Sequence, residues 1–291
     1  MPREIALLVN PTSGKGRGAR LCEPVAERLR AHGCDVDIVV GRDADEAFDQ
    51  ARNRAAKGVD ALVAVGGDGL VNMALQVVAG TDTPLGIVPA GTGNDIARSL
   101  GLPLEDPVAA VDLLVTTEPR AVDAGRALGR WFGGVLSSGF DSMVNERANR
   151  MSWPAGRSRY NIAIAAELRT FRPIPFVLEL DGECWETEAM LVAVGNGVSY
   201  GGGMKVCPGA LMDDGLFDVT VLGPVSTFEF VRVFPQVYSG SHVNHPAVTV
   251  RRAACVSLAA AGVTAYADGE RVALLPVTCD VVPAALHVLA P

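Results

Sequence analysis

The sequence predicts an α/β protein of two domains: an N-terminal domain built on a parallel sheet and a mainly antiparallel C-terminal domain. Three observations carry this expectation. Over residues 1–122 short apolar runs alternate with amphipathic helical stretches; over residues 123–291 short strand-like runs are separated by turn residues; and 291 residues is about twice the size of one ordinary domain. The last residues are free to return to the first domain.

In chain order, residues 5–9 are apolar and of buried-strand length, and the amphipathic stretch 20–31 follows a polar loop. Residues 36–40 and 43–57 repeat that strand-then-helix rhythm. A third buried-type run, 61–65, breaks into Gly66-Gly67-Asp68-Gly69 and continues as a helical pattern over 70–79, and 85–88 is a further short strand. Strands alternating with helices imply a parallel sheet of Rossmann-like type, covered on both faces. Beyond residue 122 the strand-like runs are 131–137, 176–180, 190–194, 216–222, 248–250, 256–258, 263–267, 277–282 and 286–289. Asp181-Gly182 and Asp268-Gly269 fit tight hairpin turns. One insertion stands apart. Residues 146–172 hold six arginines (Arg147, Arg150, Arg157, Arg159, Arg169, Arg172) against two glutamates, interleaved with Met151, Trp153 and Tyr160.

Composition narrows the function classes. With 49% hydrophobic and 20% charged residues the chain has side chains enough for ordinary cores, and a formal charge of −8 argues against nucleic acid as a partner. The six cysteines are scattered, with no Cys-x-x-Cys pair, and are expected as reduced thiols of a cytosolic protein. No run approaches the ~18 apolar residues of a membrane span, so membrane contact would be peripheral.

Three loops carry candidate chemistry, each directly after a strand of the first domain. Gly66–Gly69 opens a helix, where backbone N–H groups can face an anion; a carboxylate such as Asp68 beside phosphates is repulsive unless Mg²⁺ lies between them. The alternative is a plain turn that needs glycine. Asn10-Pro11-Thr12-Ser13-Gly14-Lys15-Gly16 is similar to a Walker loop only superficially: the glycine spacing is wrong, and Gly follows Lys15 where Ser or Thr is required. Pro89–Asp95, which contains Gly91, Thr92, Asn94 and Asp95, completes one rim at the carboxyl ends of the strands, where ligands of open α/β sheets collect. Asp268-Gly269-Glu270 could place Glu270 on a hairpin lip as a general base, but the identical triplet Asp181-Gly182-Glu183 leaves spacing unable to choose. Asp213-Asp214-Gly215 with Asp218 is either a turn or a hard-cation site. His242 and His245 read as loop residues rather than metal ligands.

Taken in order, Asn10–Gly16, Gly66–Gly69 with Asn72, Gly91–Asp95 continuing as Ile96-Ala97-Arg98, Gly139-Phe140-Asp141, Gly195-Asn196, Asp213–Asp218 and Asp268–Glu270 resemble the diacylglycerol kinase catalytic family of soluble bacterial lipid kinases, related to sphingosine and ceramide kinases. The likeness spans nearly the whole chain. It implies a two-domain kinase, an α/β nucleotide domain and an antiparallel β-sandwich domain, with its active site in the cleft between them. Asn10, Pro11, Thr12, Ser13, Gly14, Gly66, Gly67, Asp68, Gly69, Asn72 and Thr92 match the family's ATP-contacting segments, and Glu270 rather than Glu183 matches its base. A structural Mg²⁺ maps onto the Asp214 side chain and the carbonyls of Leu211 and Leu216, with Asp68, Asp95 and Asp213 in the nearby network. The chain departs from the family's pattern at Gly41, Leu70 and Met73, and Leu70 is the residue of the sphingosine-kinase branch.

The function this resemblance implies is Mg²⁺-dependent transfer of the γ-phosphoryl group of ATP to a lipid hydroxyl, diacylglycerol being the leading acceptor. The other acceptors are a sphingoid base, ceramide or phosphatidylglycerol; the rival readings are an NAD kinase and a non-catalytic nucleotide- or lipid-binding regulator. Asp68, Asp95 and Glu270 are the expected catalytic residues. The expected partners are ATP, a membrane lipid acceptor, an anionic membrane surface at the inner face of the membrane touched through the arginine-rich insertion, and a second copy of the chain in a homodimer.

Overall fold

The structure is a computed structural model and describes residues 2–11, 13–151, 153, 162–164, 166–167 and 172–291. The expected rhythm of the first domain is present. β1 (Glu4–Val9), β2 (Asp35–Val39), β3 (Ala61–Gly66) and β4 (Leu85–Pro89) form a parallel sheet in the order β2-β1-β3-β4. Their apolar runs are buried on both sides. Ala6, Leu8, Leu62, Ala64 and Ile87 meet α2 (Ala44–Ala56) and α3 (Asp68–Val78), whereas Ile5, Leu7, Val9, Val63 and Val65 meet α1 (Ser13–Ala31) and α5 (Pro107–Thr116). The helices start where the sequence provides for it: Asp43 caps α2 by accepting the Glu46 N–H, and Asp106 caps α5 ahead of Pro107.

The second domain is a sandwich whose two sheets are joined differently to the rest. One sheet, β12 (Val248–Ala253), β11 (Phe217–Leu222), β10 (Leu191–Gly195), β7 (Val135–Gly139), β14 (Thr264–Ala267) and β15 (Glu270–Leu274) in that order, is antiparallel throughout. The other continues the first domain's sheet. β16 (Val277–Val288) lies beside β4, with Val288 opposite Leu85, and then carries β13 (Cys255–Ala259), β8 (Ile174–Leu180) and β9 (Glu183–Ala189). β5 (Arg120–Ala127), with β6 (Arg130–Phe132) on its edge, also pairs with β16. Phe132 and Phe217, stacked with ring centres 5.7 Å apart, lie in the core between the two sheets.

Three differences from the sequence reading have physical reasons. The run 131–137 is two strands, because Gly133 and Gly134 leave the sheet to bind the Asp268 carboxylate. The runs 277–282 and 286–289 are one strand, held through a shift of register against β5 between Val282 and Leu286. β5 and β9 go unannounced in the sequence because β5 carries charged residues between buried ones, and β9 is a half-exposed strand with the outward residues Glu183, Glu186 and Glu188. All six cysteines are free. No helix among the described residues is long and apolar enough to cross a membrane.

Candidate active site

The three loops share one rim because β1, β3 and β4 are neighbours: Val9 lies opposite Val65, and Gly66 opposite Pro89. Their closeness demands glycine. A Cβ on Gly91 would lie 2.5 Å from the Gly67 Cα, so the second and third loops meet backbone to backbone. Asp68 opens α3, where the helix start is electropositive. Its carboxylate leaves the helix axis to bind the third loop, accepting the N–H groups of Asn94 at 2.9 Å and Asp95 at 2.7 Å. Asn94 takes the left-handed conformation, φ 55°, that turns these two N–H groups toward it.

Asp95 then carries the link across the domain boundary. Its carboxylate accepts the N–H groups of Gly202 at 2.8 Å and Gly203 at 2.7 Å, on a loop of the sandwich domain. Arg98, from α4 (Asp95–Ser99), donates to the Gly93 carbonyl at 3.3 Å and lies against Gly203. Burial, followed by the neighbouring Asp95 charge, raises the pKa of Asp68 from the ordinary aspartate value.

A second link runs through the Asp-Gly-Glu hairpin. Asp268 accepts four N–H groups: Gly134 and Val135 on Oδ1 at 2.9 and 3.2 Å, and Gly133 and the Asn72 amide on Oδ2 at 2.9 and 3.3 Å. Burial nevertheless lifts its pKa to about 6. Asn72, placed by the resemblance among the ATP contacts, thus ties α3 to the sandwich. Glu270, the first residue of β15, is exposed and shares with Asn72, Arg130 and Trp131 a crevice of about 10 Å³, room for one water-sized group. The twin triplet has another fate: Asp181 holds the N–H groups of Ala254 and Cys255 at the far side of the sandwich, and Glu183 pairs with Arg251 at 3.5 Å on the surface.

The other expected nucleotide-contacting residues belong to the first and third loops of this rim. Asn10 is half-buried and Pro11 exposed at the end of β1; Ser13 and Gly14 open α1, and Thr12 lies outside the described residues. Thr92 is exposed on the third loop. Arg157, Arg159, Tyr160 and Arg169 of the insertion also lie outside the described residues. His242 is buried with its ring on the Val206 carbonyl, and His245 faces Glu229 at 3.3 Å, so the two do not form a metal pair.

Two sets of oxygens come into question for Mg²⁺. Asp68 and Asp95 are of the donor type a hard cation takes and lie close together: a Cβ on Gly93 would lie 2.4 Å from Asp68 Oδ2 and 3.3 Å from Asp95 Oδ2. Each of their oxygens keeps a lone pair after accepting its N–H. At the turn of Leu211, Asp214 and Leu216 the Asp214 carboxylate is shared with other partners. Arg252 pairs with Asp214 and with Asp218, the latter at 3.1 Å, the Leu216 N–H also binds Asp214, and Asp213 faces Arg120 at 4.0 Å. Among the described residues no three His, Cys, Asp or Glu side chains are grouped as metal ligands.

One buried aspartate, Asp123, escapes the sequence reading, and the half-buried Asp141 is given no role there. Asp123 on β5 accepts the N–H groups of Gly215 at 2.7 Å and Ala284 at 2.9 Å, holding the acidic turn against β16. Its only local signal is a carboxylate between the apolar Val122 and Ala124. Asp141, of the Gly-Phe-Asp motif, accepts the Ser137 hydroxyl, and burial raises its pKa to about 6.

Known proteins share this architecture. The family model described as diacylglycerol kinase catalytic domain matches residues 4–127, and that described as YegS C-terminal NAD kinase beta sandwich-like domain matches residues 134–290. The chain is 46% identical over 294 aligned residues to a diacylglycerol kinase of Mycobacterium tuberculosis, covering 99% of this chain and 95% of that one. It is 28% identical over 274 residues to the diacylglycerol kinase of Bacillus subtilis, covering 93% and 90%. Among solved structures, a diacylglycerol kinase from Bacillus anthracis superposes with a TM-score of 0.76 at 21% identity, over 99% of this chain and 97% of that one. An NAD kinase from Archaeoglobus fulgidus in complex with ATP superposes with a TM-score of 0.53 at 14% identity, over 99% and 93%. These two likenesses are of fold.

Proposed function

Since the chain belongs to the diacylglycerol kinase catalytic family and is a phosphotransferase with an alcohol acceptor, we propose that it transfers the γ-phosphoryl group of ATP, with Mg²⁺, to the free hydroxyl of diacylglycerol in a membrane. The observation that carries this reading is the relay from Asp68 through Asn94 and Asp95 to Gly202 and Gly203. It presents two carboxylates at the junction of the phosphate-binding rim and the sandwich.

Phosphoryl transfer asks a protein for positioning and charge stabilisation more than for covalent chemistry. The loops after β1, β3 and β4, with Asn10 through Gly14 and Gly66 through Gly69, receive the nucleotide, and the N–H groups at the start of α3 face its phosphates. Asp68 and Asp95 would hold Mg²⁺, which when bound offsets the phosphate charge. Glu270 accepts the proton of the acceptor hydroxyl as its oxygen bonds to the γ-phosphorus and the bond to the departing ADP breaks. Asp268 fixes the hairpin from which Glu270 acts, through its bonds to Asn72 and the Gly133–Val135 backbone. No step is assigned to the Asp214 turn. Because a diacylglycerol acceptor lies in a bilayer, the protein works in peripheral contact with a lipid surface.

Incubation with labelled ATP, Mg²⁺ and a panel of diacylglycerol, ceramide, a sphingoid base and phosphatidylglycerol in mixed micelles, with NAD as a soluble control, tests the acceptor. Labelled phosphatidic acid is expected; label in NAD alone would overturn the reading. Glu270→Gln is expected to lower turnover by about 10²- to 10⁴-fold with ATP affinity retained, and unchanged turnover would remove Glu270 as the base.

A further inference from the structure

The sandwich carries an apolar cluster separate from its core. Phe140 and Val144 of α6 (Phe140–Arg150) pack with Phe230 and Phe234 at α7 (Thr227–Val233) and its end, the Phe140 and Phe230 rings being 4.8 Å apart. This packing binds the two helices into one unit and uses only their inner faces. On α7, Phe230 and Val233 are buried, whereas Phe228 and Val231 are 79% and 55% exposed and Arg232 is exposed beside them, at the i, i+3 and i+4 spacing of one helix face. On α6 the exposed residues Met143, Arg147 and Arg150 repeat this combination at i, i+4 and i+7.

Two of the acids nearby are less exposed than the arginines they pair with, and Glu229 is as exposed as Arg147. Arg147 pairs with the buried Glu167, Arg150 with the half-buried Glu146 at 3.4 Å, and Glu229 is turned to His245. The described face thus presents the apolar Phe228, Val231 and Met143, the exposed Arg232 and the ion-paired Arg147 and Arg150, on a chain whose formal charge is −8. The face is also tied to the hairpin of Glu270: Glu146 accepts from the Tyr266 hydroxyl at 3.2 Å and from Arg271 Nε at 3.1 Å, the residue next to Glu270.

We propose that the outer face of α7, with the neighbouring α6, is the surface this protein lays on an anionic bilayer, Phe228 and Val231 entering the acyl boundary while Arg232 meets lipid phosphates. A large exposed Phe beside Val and Arg on a short helix is costly in water and suited to a membrane interface, where ring and methyl groups leave water and the guanidinium stays at headgroup depth. The proposal rests on the reading that the acceptor is a membrane lipid, and it names the part of the molecule that reaches it.

Co-sedimentation with phosphatidylcholine vesicles, with and without phosphatidylglycerol, tests it on the full chain. The wild type should bind the anionic vesicles more tightly, and the double variant Phe228→Ser/Val231→Ser should bind them at least about tenfold more weakly with an unchanged melting temperature. Arg232→Glu should weaken binding by about fivefold or more, an effect removed by high salt, whereas the loss caused by the Ser pair should persist in salt. Phe228→Trp should give a blue-shifted emission on anionic vesicles. Phosphorylation of a monomeric short-chain diacylglycerol should be equal in wild type and Ser pair. If that activity is present while the Ser pair sediments like wild type, or the Trp emission does not move, the surface assignment falls and the kinase reading stands. A wild type that binds vesicles through Phe228 but phosphorylates no lipid leaves the surface and sinks the proposed acceptor.

Discussion

Gly93→Ala is the sharpest probe of the carboxylate pair. The new Cβ would lie 2.4 Å from Asp68 Oδ2, and an ordinary carbon–oxygen contact is about 3.4 Å, so the carboxylate must retreat by about 1 Å. Asp68 Oδ2 accepts the Asn94 N–H at 2.9 Å, and a retreat of that size stretches the bond beyond hydrogen-bonding range. Losing it costs about 1–3 kcal/mol of stability, because the N–H is part-buried. The rate should fall by about 10²-fold, the usual penalty for displacing a charge-positioning group by 1 Å. The assay is turnover of diacylglycerol in mixed micelles at saturating ATP and Mg²⁺, with a denaturant melt on the same preparation. Turnover within about threefold of wild type would refute the argument that Asp68 must stand where Gly93 permits it.

Three further outcomes follow from the same contacts. In the metal-free protein Asp68 has a raised pKa, so as pH falls it is protonated earlier than an ordinary aspartate; at limiting Mg²⁺ turnover should drop on the acid side, and a pH–rate profile of Asp68→Asn should show lower turnover without that limb. Asp268→Asn presents an amide NH₂ to two of the four donors Asp268 now accepts, and even after relief of a buried charge it should cost roughly 1–3 kcal/mol in urea unfolding; Asp181→Asn, at an exposed hairpin, should cost less than about 1 kcal/mol, and equal losses would refute the distinction. Arg252→Met leaves Asp214 and the buried Asp218 without their cation and should destabilise by about 1–3 kcal/mol, while millimolar Mg²⁺ should leave the wild-type melting temperature unmoved; a rise of several degrees would show that this turn takes a metal after all.

The sequence by itself determined the class of the fold and the rim of the nucleotide domain. Buried parallel strands are continuous apolar runs, and β1, β3 and β4 end in glycine-rich polar loops, so both are written within a few adjacent residues. What only the tertiary structure decided is which residues with equal local signals share the cleft. Asp268-Gly269-Glu270 and Asp181-Gly182-Glu183 are identical triplets opening identical hairpins; they differ because Asp268 meets Asn72, 196 residues away, and Gly134, 134 residues away. The same holds for Asp123, whose partners Gly215 and Ala284 come from a distant turn and from β16, and for Asp214, whose charge is met by Arg252 of β12. A hydrogen bond of this kind forms where the fold brings donor to acceptor, and that meeting follows from sheet order and strand register; neither has a signature in the few residues on either side of a carboxylate.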